Sequence, residues 1–237
     1  MERTACDLDI SQLADVAKQF DAATVCEGAI RMESGINSER GLPTFMLEVA
    51  RRLGSRSCGS TGRASLDRLV PKGRNAARRN TLSMMFGMGA FPMHTDLAHW
   101  VTPARYIILA AEFADPNSAA TNIVPVPRID HPTLSVIESG VFLIRNGSRS
   151  FLGSICSAGR RFYRFDPVCM KPIDSVSDVA GRAFRTLIDN ETPVAVQWRP
   201  GDLLVIDNWT TLHGRMPISD TADRRVLLRL YVEATSK

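Results

Sequence analysis

Hydrophobic periodicity changes along the chain near residue 80. Before this point, apolar residues recur at helical spacing over residues 10–20 and 43–53, which predicts two amphipathic helices. After it, short apolar runs predict strands, with two further helices at 132–138 and 174–188. The predicted strands are 81–88, 105–113, 121–126, 141–145, 150–157, 161–165, 193–198, 202–206 and 225–233.

Many short strands that follow a helical segment are typical of a mainly β protein with flanking helices. We expect a double-stranded β-helix, or jelly-roll, core with an N-terminal helical segment. The chain has no internal repeat, so residues 1–237 are predicted to form a single domain. In it, a helical and basic loop segment, 1–80, covers a jelly-roll core formed by 81–237.

Composition and charge argue against a disordered protein, a nucleic-acid-binding protein and a membrane protein. The chain is 44% hydrophobic and 23% charged, which is typical of a globular protein and not of a disordered one. A net charge of +4 is too small to indicate a nucleic-acid partner. No apolar run is long enough to span a bilayer, and no signal peptide follows the first residues. We therefore expect a cytoplasmic protein without a membrane partner.

One segment, Arg51 to Arg79, is strongly basic. It holds nine arginines and lysines and a single acid, Asp67. Such a segment is commonly a solvated surface loop. The alternative is a docking surface for an anionic partner or substrate.

The four histidines differ in their surroundings. His94 and Asp96 are two residues apart, so in an extended segment both side chains point to the same side and can bind one cation. His99 would point to the opposite side, and His131 precedes a proline in a polar segment. We interpret these last two as structural.

His213 lies in a setting typical of binding residues. The turn Pro200-Gly201 and an apolar strand precede it, and the predicted loop 208–214 presents it at the end of that strand. Two histidines and one carboxylate form the facial triad that suits non-haem Fe(II) and leaves coordination positions open. A structural zinc site would need a fourth protein ligand.

Arg225 and Arg229 are four residues apart on the last predicted strand, so they share one face. At a surface they would pair with acids on neighbouring strands. Inside the protein two guanidinium groups need anions, and a dicarboxylic cosubstrate is one source, because arginine binds a carboxylate with two parallel hydrogen bonds.

Together these residues resemble the Fe(II)- and 2-oxoglutarate-dependent dioxygenases of the taurine dioxygenase and clavaminate synthase group. The segment Phe91-Pro-Met-His-Thr-Asp96 is similar to the first metal motif of that family. Asp207-Asn-Trp-Thr-Thr-Leu-His213-Gly-Arg215 is similar to its second. The pair Arg225 and Arg229 is similar to its terminal arginine motif, and Thr121 stands at the position of a cosubstrate-binding threonine.

The resemblance implies a complete set of roles. Fe(II) would be held by His94, Asp96 and His213, while Thr121 and Arg229 would bind the distal carboxylate of 2-oxoglutarate. With O2, the enzyme would hydroxylate an unactivated carbon and release succinate and CO2. The carboxylate at position 96 argues against halogenation, because related halogenases have a small residue there.

Arg225 is then predicted to bind the substrate. A cationic side chain beside the metal favours a small, amino-acid-like or carboxylate-bearing substrate, free or bound to a carrier protein. Three other readings remain open. A desaturase or cyclase could use the same site. A cupin-type dioxygenase without 2-oxoglutarate would give Arg229 no role. A non-enzymatic binding protein would use the basic segment 51–79.

Overall fold

The computed structural model of the chain describes residues 11–35, 41–54, 56–59, 66–77, 81–146, 149–156, 159, 162–218 and 224–233. None of the described helices has both the length and the hydropathy needed to cross a membrane. These helices are α1 (Ser11–Gln19), α2 (Gly41–Leu53), α3 (Leu82–Phe86), α4 (His131–Glu138) and α5 (Ser175–Asp189), with one 3-10 turn at Arg74–Ala76.

Strands dominate the fold and all their pairings are antiparallel. The first seven strands are β1 (Ala23–Cys26), β2 (Ala29–Glu33), β3 (Arg56–Cys58), β4 (Asp67–Leu69), β5 (Phe91–His94), β6 (Tyr106–Phe113) and β7 (Thr121–Pro125). The others are β8 (Phe142–Asn146), β9 (Arg149–Gly153), β10 (Met170–Pro172), β11 (Val194–Val196), β12 (Asp202–Asp207), β13 (Thr211–Arg215) and β14 (Val226–Glu233).

Two sheets pack face to face and form the jelly-roll core that the strand pattern predicts. The larger sheet has the order β1-β2-β12-β6-β14-β3, with β4 also paired to β14, and the smaller has the order β11-β7-β13-β5. Buried residues from both sheets meet between them, among them Ile107, Leu109 and Ile206 from one and Ile123 and Val196 from the other. The mainly β fold class is therefore confirmed.

Helices cover the outer face of the larger sheet. Successive residues of a strand point to opposite faces, so Ile108 lies behind Ile107 and Leu109. Ile108 packs with Val205 against Met46 and Leu53 of α2, and α1 adds Leu13 and Val16 to this cluster. The strands β6 and β12 are buried on both faces, which explains their continuous apolar sequences.

A third cluster covers the outer face of the smaller sheet. It joins α4, α5 and the three-stranded sheet β10-β8-β9 to residues Val124 and Leu212. Phe184 of α5 lies at its centre, fully buried between the rings of Tyr163 and Phe165. The smaller sheet, which carries two metal-ligand candidates, is thereby buried on both sides.

Three predicted elements differ from the structure. Residues 81–88 do not form a strand: Leu82–Phe86 is a short helix, because Thr81 accepts a hydrogen bond from the Met84 amide and Gly87 ends it with a positive φ of 54°. The predicted strand at 161–165 is only an isolated bridge between Cys156 and Tyr163 among the described residues. The predicted loop around His213 is strand β13.

Four strands in the N-terminal third, β1 to β4, were not predicted. β2 pairs with β12 along Ala29–Glu33, while β3 and β4 pair with β14. Residues before position 80 thus contribute strands to the larger sheet as well as helices that cover it. The proposed boundary at residue 80 stays a prediction.

The position of Phe184 generates a stability prediction. Phe184→Ala should lower the free energy of unfolding by about 3–5 kcal/mol, because the substitution leaves a cavity between two aromatic rings. Val176→Ala is the control on the same helix, since Val176 is half-exposed. Urea unfolding would measure both, and a loss in the control as large as that in Phe184→Ala would contradict the assignment of α5 to this core.

Candidate metal centre and substrate pocket

Two paired strands bring the metal-ligand candidates together. His94 at the end of β5 is directly opposite His213 of β13, and their ring centroids are 4.4 Å apart. Asp96 follows two residues after His94, and one ligand atom from each of the three residues lies within 4.8 Å of the others. All three side chains are buried. The structure therefore assembles the triad that the spacing predicts.

Hydrogen bonds orient the two imidazoles. His94 Nδ1 lies 2.9 Å from the carbonyl oxygen of Pro92, which can only accept, so Nδ1 carries a proton and Nε2 is the nitrogen that faces the triad. Nε2 lies 3.2 Å from Asp96 Oδ1. His213 Nε2 lies 3.7 Å from Asp96 Oδ2, while its buried Nδ1 has no hydrogen-bond partner among the described residues.

This donor set fits a divalent transition metal. Two imidazole nitrogens and a carboxylate oxygen converge, and the cluster contains no fourth histidine, cysteine or acidic side chain among the described residues. Such a set suits Fe(II) with open positions and does not complete a structural zinc site.

The electrostatic environment prepares these ligands for a cation. Burial lowers the pKa of His213 to about 3, and the charges of His94 and Arg229 add to this effect. Burial also opposes the charge on Asp96, but Arg229 and His213 outweigh it and hold the pKa of this carboxyl well below 3.8. For His94, burial lowers the pKa, yet the hydrogen bond and charge of Asp96 raise it overall above 6.5. At neutral pH, Asp96 is ionised and His213 is neutral.

Asn208 fixes the backbone that carries Asp96. Its Oδ1 accepts a hydrogen bond from the Asp96 amide at 2.9 Å, and its Nδ2 donates to the Asp96 carbonyl at 3.0 Å. The same Nδ2 donates to the carbonyl of Ala104 at 2.9 Å. The fully buried amide therefore links the loop that follows β12 to the segment after the first metal motif.

One face of β14 lines the space beside the triad. Leu227, Arg229 and Tyr231 alternate along the strand, Arg225 lies immediately before its first residue, and all four line the same pocket. Arg229 donates to Asp96 Oδ2 at 2.9 Å and to Asp67 Oδ2 at 3.1 Å. The Tyr231 hydroxyl donates to the same Asp96 oxygen at 2.8 Å. Burial raises the pKa of Tyr231 well above 10, so the phenol keeps its proton.

Arg225 occupies a different part of the pocket from Arg229. It is buried, and its guanidinium donates to the carbonyl of Ala119, two residues before Thr121. The Thr121 hydroxyl accepts a hydrogen bond from Trp198 Nε1 at 3.0 Å, which leaves its own proton available for another acceptor. No contact joins Arg229 to Thr121 among those that the described residues show.

The pocket measures about 580 Å³, within the range of sites for small molecules. His99 lines it, which differs from the prediction that this side chain points away from the site, because residues after Asp96 form turns and not an extended strand. Asp166 also lines it, with Oδ1 held by the backbone amides of Val168 and Cys169. His131 is exposed at the start of α4, away from the pocket.

Three residues of the site were missed by sequence reasoning. Asp67 was noted only as the single acid of a basic segment. Tyr231 lies two residues beyond Arg229 and so shares its face, a periodicity that could have identified it. Asn208 stands inside the second metal motif, but no spacing rule indicates that its amide would bind the backbone of residue 96.

The basic segment is partly neutralised in the structure. Arg51 and Arg52 pair with Glu48 one turn earlier on α2, and Arg68 pairs with Glu112 at 2.6 Å. Three of its basic residues, Arg63, Arg78 and Arg79, lie outside the described residues.

Residues 120–231 match the model of the taurine catabolism dioxygenase TauD, TfdA family. The chain is also 28% identical over 158 residues to clavaminate synthase 2 from Streptomyces clavuligerus. That match covers 59% of this chain and 48% of the relative, so the chain spans about half the length of the curated relative.

Solved structures of two non-haem iron oxygenases have a similar fold. An asparagine oxygenase in complex with Fe(II), 3-hydroxyasparagine and succinate matches with a TM-score of 0.73 and 19% identity, over 96% of this chain and 80% of that one. The oxygenase OrfP in complex with Fe and α-ketoglutaric acid matches with a TM-score of 0.69 and 19% identity, over 96% and 81%. At this identity the likeness establishes the fold.

The contacts of Asn208 generate a prediction about the metal centre. Asn208→Ala should cost about 2–4 kcal/mol of folding free energy, because it leaves several buried backbone groups without partners. It should also weaken Co(II) binding, since the segment that carries Asp96 loses its anchor. Asn190→Ala, at the exposed C-terminal end of α5, is the control. Co(II) titration with unchanged affinity in Asn208→Ala would contradict the proposed role.

Proposed function

We propose that this chain, in which residues 120–231 match the TauD, TfdA family, is an Fe(II)- and 2-oxoglutarate-dependent dioxygenase that hydroxylates an unactivated carbon of an amino-acid-like substrate. The observation that carries the proposal is the buried triad of His94, Asp96 and His213 beside a pocket whose lining includes Arg225 and Arg229. The reaction balances with one oxygen atom of O2 in the product and the other in succinate, with CO2 released.

The triad would hold Fe(II), which supplies the activation of O2 when it is bound. Three protein ligands leave coordination positions for the cosubstrate and O2. The protein keeps two of the three ligands in the required protonation states, because His213 is neutral and Asp96 is ionised at neutral pH.

Contacts favour Arg225 as the residue that binds the distal carboxylate of 2-oxoglutarate. Arg225 is held beside the segment that carries Thr121, and the Thr121 proton is free to donate, so both could bind one carboxylate. Sequence reasoning assigned this role to Arg229 with Thr121, and the substrate to Arg225. Neither role is tested by the observations above, and we propose that the two arginines exchange them.

Arg229 and Asp67 then suit the substrate. They form an ion pair in the pocket, directly beside Asp96, and each side chain is 19% exposed. A zwitterionic amino acid presents a carboxylate for Arg229 and an ammonium group for Asp67. Asparagine oxygenase and OrfP, which share the fold, are described with hydroxylated asparagine and hydroxylated arginine, and this supports an amino-acid substrate.

A free amino acid fits this pair better than a carrier-bound one, because a carrier thioester lacks the carboxylate that Arg229 would bind. A cupin-type dioxygenase does not use 2-oxoglutarate, so one of the two arginines would have no cosubstrate carboxylate to bind. The presence of both arginines therefore favours the 2-oxoglutarate-dependent class. Hydroxylation is the default outcome for the class, and desaturation or cyclisation would use the same residues.

Formation of the metal–cosubstrate complex tests the function. Anaerobic addition of Fe(II) and 2-oxoglutarate should produce a weak visible charge-transfer band, and a screen of amino acids under air should identify one that stimulates succinate formation. His213→Ala should abolish the band, because it removes a ligand. His131→Ala, which changes an exposed histidine, should retain it. Absence of the band in the wild-type protein would overturn the proposal.

The assignment of the arginines has its own test. Arg225→Met should raise the KM for 2-oxoglutarate by at least about 30-fold, since loss of a buried charged partner costs about 2 kcal/mol or more. Arg229→Met should raise the KM for the amino acid more than that for 2-oxoglutarate. Steady-state kinetics with each substrate varied in turn would measure both. The reverse pattern would restore the original assignment of Arg225 to the substrate.

A further inference from the structure

Two side chains of β14 donate to one oxygen of the metal-ligand candidate Asp96. The Tyr231 hydroxyl lies 2.8 Å and an Arg229 nitrogen 2.9 Å from Asp96 Oδ2. The other oxygen, Oδ1, has His94 Nε2 as its neighbour at 3.2 Å. The carboxylate is therefore asymmetric: Oδ2 accepts hydrogen bonds from two side chains of β14 and lies 3.7 Å from His213 Nε2, whereas Oδ1 has the nearer imidazole of His94 as its neighbour.

The two donors are built as a unit. Tyr231 and Arg229 are two residues apart on β14, so both point into the pocket. The guanidinium carbon of Arg229 lies 4.8 Å from the centre of the Tyr231 ring, so the cation also rests on the aromatic face. Tyr231 thus contacts both members of the Arg229–Asp96 ion pair.

The donors differ in how firmly they are committed to Asp96. Arg229 is partly exposed to the pocket and divides its hydrogen bonds between Asp96 and Asp67. Tyr231 is 1% exposed and lies opposite Ile107 and Cys58 in the larger sheet. Since its ring is enclosed by neighbouring strands, its hydroxyl cannot turn to another partner without moving the sheet.

We propose that Tyr231 is the positioning residue of the metal centre: its hydroxyl holds Asp96 Oδ2 and thereby presents Oδ1 to the metal. The inference rests on the proposed function and adds to it different roles for the two donors. Arg229 is shared between Asp96 and an incoming carboxylate. Tyr231 keeps Oδ2 occupied whether or not Arg229 has turned to the substrate. Partners of ligating carboxylates commonly determine metal affinity in this way.

Co(II) binding tests the inference without turnover. Tyr231→Phe removes only the hydroxyl, and it should weaken Co(II) binding by about 10-fold to 100-fold and alter the visible d–d absorption. Tyr106→Phe is a matched control, because Tyr106 is equally buried on the adjacent strand β6 and donates to Gln12. Its Co(II) affinity and spectrum should equal those of the wild type even if its stability falls as much.

A second measurement is made on the wild-type chain, and tyrosine variants other than Tyr231→Phe serve only to assign its resonances. The protein has three tyrosines, Tyr106, Tyr163 and Tyr231. With 13C at the hydroxyl-bearing ring carbon they should give three resonances. Addition of diamagnetic Zn(II) should shift the resonance of Tyr231 most, because its acceptor becomes a metal ligand. Tyr106→Phe and Tyr163→Phe assign the other two resonances, so the third is that of Tyr231.

The outcomes separate the two proposals. If the wild-type protein binds no Co(II), the proposed function fails. If it binds Co(II) and Tyr231→Phe binds with the same affinity and spectrum, the function stands and the role of Tyr231 is overturned. An unshifted Tyr231 resonance on Zn(II) binding would overturn that role equally.

Discussion

A buried carboxylate, Asp96, is the charge around which the site is organised. Removal of an ionised carboxylate from water costs several kcal/mol unless it gains charged and hydrogen-bonding partners. The neighbours of Asp96 offset this cost. Arg229 supplies the opposite charge, Tyr231 supplies a neutral donor, and Asn208 holds the backbone of the same residue. A bound cation would complete this set on the side of the histidines.

Strand β14 carries two of the partners of Asp96, so their positions depend on how this strand pairs in the larger sheet. It pairs with β6 from Val226 to Val232, and it carries the pocket-facing arginines and tyrosine at alternate positions. Alternation on a paired strand fixes the directions of Arg229 and Tyr231, because a register slip would turn both of them away from the pocket. Secondary structure therefore places the polar groups, and the segments that carry Asp67, at the start of β4, and Ala119, before β7, determine which partner each arginine contacts.

That distinction explains how much could be predicted from the sequence. The triad could be anticipated, since a spacing of two residues in an extended segment determines the direction of His94 and Asp96, and motif order indicates His213. The roles of Arg225 and Arg229 could not be separated, because a shared strand face does not indicate which residues lie opposite each arginine across the pocket. Strands β1 to β4 were not predicted because they are three to five residues long, and β2, β3 and β4 are defined by partners far away in the sequence. The helix α3 was missed because apolar residues suggested a strand, whereas the Thr81 cap decides the conformation.

The order of strands in the larger sheet has a consequence for synthesis. β6 lies between β12 and β14, yet it leaves the ribosome roughly a hundred residues before either of them. Until both arrive, an apolar strand, buried from Tyr106 to Ala111 in the finished fold, has its two edges unpaired. High contact order of this kind slows folding, so the nascent chain passes through a stage in which its central strand is open to aggregation and depends on rapid completion of the C-terminus or on a chaperone.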